Sequence, residues 1–151
     1  FMEKGREYIR DEFKAGLTFM PGFHDLIDRI NQKHETGLVT ASPKHNVDWL
    51  CELVHLDTIF NHIVSGSEST HNKPHPDPYV DMMKLLDVVP QNTAVIEDSI
   101  HGLHAALSAG THVIAKTGSV PLEELKISHR IVSHLDEVTD QMIDELLQER
   151  L

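Results

Sequence analysis

The chain has 151 residues, 40% hydrophobic and 25% charged, which suits one globular domain and leaves no apolar run near the roughly 20 residues of a membrane span. Lys and Arg number 13 against 24 Asp and Glu, a formal net charge of −11; such a surface repels nucleic acid and anionic membrane, so neither is an expected partner. The 12 histidines show no convincing metal-binding pattern and read mostly as surface residues, while the single Cys51 excludes an intrachain disulfide and fits a reducing cytoplasm.

In chain order, the opening Phe1-Met2-Glu3-Lys4-Gly5-Arg6 has no signal-peptide pattern and does not read as a natural start. Tyr8, Ile9 and Phe13 recur at helical spacing, predicting a helix over 2–14 that Gly16 closes. Phe19-Met20-Pro21-Gly22 breaks the chain before a helix over 23–32 with Leu26, Ile27 and Ile30 on one face. Residues 36–40 read as a short apolar strand. Ser42-Pro43 reads as an N-cap followed by proline at the first helical position, with Val47, Leu50, Cys51 and Val54 buried behind it. A second strand falls over 62–65, and residues 66–76 form a polar loop.

Asp77-Pro78 repeats the cap-then-proline signal, ahead of an apolar stripe of Val80, Met83 and Leu85 or Leu86. A third strand over 93–97 is followed by a helix over 99–109. A fourth strand lies over 112–115, a short helix over 121–126, an edge strand over 131–133, and an amphipathic helix over 137–150. Short apolar strands alternating with helices predict an α/β fold, a parallel sheet with helices on both faces. The site of such a sheet lies outside the carboxyl ends of its strands, which selects Thr40, Ser65 and Glu97-Asp98.

Three segments there carry chemistry. The Thr40 hydroxyl and the free N–H groups of Ala41 and Ser42 at the next helix start would hold an anion; read alone, the segment is more simply a helix cap at Ser42. Lys73 sits before Pro74, Pro76 and Pro78, which fix the backbone beside it and hold its ammonium in place. Such an ammonium balances a transferring phosphoryl group, and the plainer reading is a solvated loop lysine. Glu97 and Asp98 end an apolar strand together. A helix cap accounts for one acid but not for two, and oxygen-only ligands suit Mg2+. Cys51 reads as a core residue and His101 and His104 as surface residues.

The ordered set resembles the haloacid dehalogenase (HAD) superfamily of phosphohydrolases, in the branch of phosphoglycolate phosphatase-like enzymes and β-phosphoglucomutase. The residues that carry the likeness are Leu38-Val39-Thr40, then Lys73-Pro74-x-Pro76-x-Pro78, then Val95-Ile96-Glu97-Asp98-Ser99 with Gly102, Ala105-Ala106 and Ala109-Gly110. The resemblance implies a Rossmann-like core over 17–151, with residues 1–16 as the tail of a helical cap domain. It implies that Thr40 and the neighbouring N–H groups hold phosphoryl oxygens and that Lys73 neutralises the phosphoryl group and the nucleophile. Asp98, with Glu97, would hold Mg2+. The implied reaction hydrolyses a small phosphorylated metabolite through an aspartyl-phosphate. Alternatives are β-phosphoglucomutase-like phosphoryl transfer and a non-catalytic binding or regulatory module; the proline-rich lysine loop argues against a response-regulator receiver.

The family's first motif, Asp-x-Asp followed by Gly-Thr, is absent from these residues, and Asn72 stands where glycine usually precedes the lysine. The resemblance therefore implies a nucleophile supplied by an N-terminal segment of the same protein. It also implies a sheet lacking its central strand, between the strand ending at Thr40 and the strand ending at Asp98.

Overall fold

The computed structural model describes residues 16–149; the helix expected over 2–14 and the cap-domain reading of 1–16 fall almost wholly outside them. The sheet comes in two parallel parts. β1 (Gly37–Val39) pairs with β2 (His62–Val64), Leu38 standing opposite Ile63. β3 (Ala94–Glu97), β4 (His112–Lys116) and β5 (Arg130–Val132) form a second sheet in that order. Among the described residues no strand joins β1 to β3, as expected of a Rossmann-like sheet without its central strand.

Strand alternation sorts the core into two layers. On β4, Val113 and Ala115 face one cluster and Ile114 faces the other. The first cluster takes Tyr79 and Met83 from α4 (Asp77–Leu85) and Leu103, Ala105 and Ala106 from α5 (Ile100–Ser108). The α5 alanines are fully buried, and small side chains there let the helix lie close against β4. The second cluster takes Leu26 from α1 (Phe23–Ile30) and Ile143 and Leu146 from α7 (Asp140–Gln148). Arg29, in the last turn of α1, pairs with Asp140 and donates to the Val138 carbonyl, which ties α1 to the start of α7. The remaining helices are α2 (Lys44–Val54), α3 (Leu56–Ile59) and α6 (Leu122–Leu125). None of the described helices is long and apolar enough to cross a membrane.

Local chemistry moves several boundaries. Pro43 is itself the N-cap of α2, and Ser42 makes no side-chain cap; its N–H donates to Thr40 Oγ1 at 3.1 Å. Pro76 likewise occupies the cap of α4, leaving Asp77 inside the first turn with its carboxylate turned to histidines. On α4 Met83 is buried and Val80 packs against the core, as the expected stripe has it; Tyr79 and Met82 are buried as well and Leu85 is exposed, so the buried face is wider than that stripe. Only Val47 of α2 is fully buried, with Leu50, Cys51 and Val54 half-buried. The closing helix starts at Asp140, because Thr139 Oγ1 accepts the Met142 N–H at 3.1 Å and caps it there. The preceding 135–137 form a separate single turn.

Leu103 is completely buried and its neighbour His104 is exposed. Leu103→Ala is expected to lower unfolding free energy by about 2–5 kcal/mol, and His104→Ala to change it by less than about 0.5 kcal/mol, both measured by urea denaturation.

Candidate active site

Lys73 occupies the place where the two parts of the sheet come closest in chemistry. Its Nζ donates to the Val39 carbonyl at the end of β1, at 3.1 Å, and pairs with Glu97 at the end of β3. The same ammonium lies 4.9 Å from the centre of the Tyr79 ring. Both charged side chains are nearly closed off from solvent, at 10% and 9% exposure. The loop lysine of the sequence reading is thus a buried, fixed cation.

Glu97 is surrounded by donors. Its Oε1 takes the Lys73 ammonium and the Tyr79 hydroxyl, the latter at 2.7 Å. Its Oε2 takes the N–H groups of Asp98 and Ser99 at 3.1 and 3.2 Å and the Ser99 hydroxyl at 3.0 Å. Ser99 Oγ in turn accepts the Gly102 N–H at 3.1 Å and caps α5. Burial pushes the Glu97 carboxyl pKa up, but the Lys73 charge and the hydrogen bonds from Lys73, Tyr79 and Ser99 outweigh it, and the net shift is downward. Tyr79 moves the other way: burial first, then the Glu97 charge, raises its phenol pKa far above the ordinary value. The carboxylate lies so close to the first turn of α5 that a Cβ on Gly102 would stand 2.0 Å from it, and glycine is required there.

The adjacent acid has different surroundings. Asp98 Oδ2 accepts a hydrogen bond from the Ser119 hydroxyl at 2.9 Å, in an exposed setting. Among the described residues its Oδ1 accepts none. The structure separates the Glu97-Asp98 pair into a carboxylate filled by protein donors and one with an open oxygen.

Thr40 continues β1, its N–H donating to the Val64 carbonyl at 3.0 Å. Its Oγ1 already accepts the Ser42 N–H, so the hydroxyl proton is left to donate outward. The Ala41 N–H makes no hydrogen bond among the described residues. Gly66 buttresses this turn: its N–H donates to the Ser42 carbonyl at 2.9 Å, and a Cβ there would stand 2.2 Å from the Ala41 oxygen. Ser67 Oγ accepts the Lys44 N–H at 3.2 Å, filling a donor at the start of α2. Ser65 is buried at the end of β2, its N–H bound by Glu68 at 2.7 Å. Cys51 is half-buried, and burial pushes its thiol up, away from the nucleophilic form. Tyr79, Gly66, Ser67 and Ser119 were not singled out by sequence; a tyrosine two residues beyond Asp77 and a glycine just after β2 were the only signals.

A parallel α/β sheet with a hydroxyl-bearing turn, a buried lysine and an acidic pair at its strand ends defines a Rossmann-like protein whose site lies at the carboxyl edge. The chain belongs to the haloacid dehalogenase-like hydrolase family, whose model matches residues 1–116. Pyrophosphatase PpaX of Bacillus mycoides is 32% identical over 84 residues, covering 56% of this chain and 39% of that protein. The crystal structure of a HAD hydrolase of family IA, variant 3, from Entamoeba histolytica superposes with a TM-score of 0.86 at 24% identity. That match covers 98% of this chain and 70% of the other and shows the fold. β-Phosphoglucomutase from Clostridium difficile superposes with a TM-score of 0.79 at 25% identity, covering 96% of this chain and 64% of that one. The chain spans between 39% and 54% of the length of the curated relatives it matches.

The lowered Glu97 pKa carries a sign. The unfolded carboxyl takes its proton near the ordinary value of 4.5, so the stabilisation is complete above that pH and is lost as the pH falls through the lower folded-state value. Unfolding free energy followed from about pH 7 to about pH 3 is expected to fall on this acid limb, and Glu97→Gln is expected to make the limb shallower.

Proposed function

We propose that these residues form the phosphate- and metal-facing part of a Mg2+-dependent phosphatase, which hydrolyses a small phosphorylated metabolite through an aspartyl-phosphate. The observation that carries this reading is the buried Lys73 ammonium, held at the ends of β1 and β3 by Val39 and Glu97. A chain of net charge −11 attracts an anionic substrate only through such local cations.

In this reading the Thr40 hydroxyl and the Ala41 N–H, with the backbone at Ser42, donate to the phosphoryl oxygens and orient the group. Lys73 balances charge that builds on the phosphoryl oxygens and on the attacking carboxylate. Its position costs nothing at the moment of reaction, because Glu97 and Val39 already hold it. The attacking carboxylate comes from an N-terminal segment of the same protein outside these residues. It bonds to phosphorus as the ester oxygen leaves and takes up a proton; water then cleaves the acyl-phosphate and releases phosphate.

The donor set fits the expected metal. Asp98 offers an open carboxylate oxygen at the strand end, and hard oxygen ligands with retained waters suit Mg2+. Asp98 is the direct ligand in this assignment. Glu97, whose oxygens are engaged by the protein, stands behind it and fixes Lys73. Asp98 would hold the ion there, which would supply Lewis-acid neutralisation of phosphoryl charge.

The likeness to β-phosphoglucomutase favours one second reading, in which the phosphoryl group returns to a sugar hydroxyl instead of water. Phosphate release from inorganic pyrophosphate and from a panel of phosphomonoesters, by the full-length protein with Mg2+, separates the two. Asp98→Asn is expected to lower Mg2+-dependent turnover by about 10²- to 10³-fold without loss of folding. Unchanged turnover removes Asp98 from the metal site.

A further inference from the structure

The loop that carries Lys73 holds a second cluster of ligating groups. Residues 71, 73 and 75 alternate in direction: Lys73 is buried, whereas the His71 and His75 side chains are 61% and 50% exposed. His71 Nδ1 and His75 Nδ1 each lie 2.8 Å from a different oxygen of the Asp77 carboxylate. The two imidazole rings have their centres 4.5 Å apart. One ligand atom from each of the three residues lies within 4.8 Å of the others.

The cluster is held from the backbone. Asp77 opens α4, and the His71 N–H donates to its Oδ2 at 3.2 Å. The His75 N–H closes a turn on the Asn72 carbonyl at 2.9 Å. Pro74, Pro76 and Pro78 restrict the chain through and beyond it. In sequence the pair reads only as His71-x-x-x-His75 in a polar loop, off any helix. The fold supplies the third ligand.

We propose that His71, His75 and Asp77 form a site for a borderline divalent transition-metal ion, with Zn2+ as the representative ion. Two imidazole nitrogens and one carboxylate oxygen suit Zn2+, Ni2+ or Cu2+ and do not suit Mg2+. Three protein ligands leave the fourth tetrahedral position to water. At metal–ligand distances of about 2.0–2.2 Å the ligand atoms stand about 3.3 Å apart; around one ion the 2.8 Å contacts to the two Asp77 oxygens open, and ligand atoms now within 4.8 Å of one another come to that spacing. The ion replaces the hydrogen bonds that the rings now share with Asp77. It clamps the loop on both sides of Lys73 while leaving the Asp98 carboxylate to a harder cation. This site does not depend on the phosphatase reading.

Co2+ serves as the probe, titrated into the purified full-length protein with excess Mg2+ present and followed by its visible absorption. One equivalent is expected to bind, to be displaced by Zn2+ and not by further Mg2+. Affinity is expected to fall by at least about tenfold in His71→Ala and in His75→Ala. It is expected to be unchanged in His104→Ala, a control at another exposed histidine. Both loop histidines are exposed, and unchanged circular dichroism confirms that the variants fold. Absence of saturable binding overturns the site, as does a fall smaller than tenfold in either loop variant.

Discussion

The Lys73–Glu97 pair connects two parts of a sheet that no strand joins among the described residues. Lys73 reaches the last carbonyl of β1 and the carboxylate that ends β3, so one ammonium sets the spacing of the two strand ends. Each member depends on the other. A buried lysine without Glu97, or Glu97 without the lysine, leaves an uncompensated charge, which costs about 3–5 kcal/mol in buried pairs. The surrounding donors follow from this: Tyr79 and Ser99 fill the remaining lone pairs of Glu97, and Gly102 gives it room against α5.

The pair also divides labour between two acids that are neighbours in sequence. Adjacent strand residues face opposite ways, and the chain turns at Ser99, where α5 begins. Glu97 therefore faces the core side with Tyr79 and Lys73, and Asp98 emerges toward Ser119. One acid holds the cation and the other keeps an oxygen open. In the lysine loop a turn, closed by the His75 N–H on the Asn72 carbonyl, takes the place of strand alternation: Lys73 turns inward and His71 and His75 turn outward to Asp77.

Much of this was legible from sequence. Apolar runs closed by turn residues locate all five described strands, and apolar spacing locates the described α-helices except α3. The parallel arrangement follows from strand–helix alternation, and the unjoined sheet is what the family resemblance implies for residues without its Asp-x-Asp motif. What sequence did not carry was pairing at a distance. Nothing local to Glu97 says that Tyr79, 18 residues earlier, will donate to it, or that Ser67 will fill a donor of α2. The cap positions of Ser42 and Asp77 failed for a local reason: each proline took the boundary itself, freeing the polar neighbour to bond elsewhere. His71 and His75 passed as surface residues because their convergence needs Asp77 and the turn at Asn72.

Whether one buried ion pair positions the site's cation is measured by a double-mutant cycle on unfolding free energy. The cycle compares Lys73→Met, Glu97→Gln and the two combined. Each single change is expected to cost about 3–5 kcal/mol, and the double variant to lose less than their sum by more than about 1 kcal/mol. Losses that add to within about 0.5 kcal/mol would contradict it, showing that Lys73 and Glu97 stabilise the fold independently.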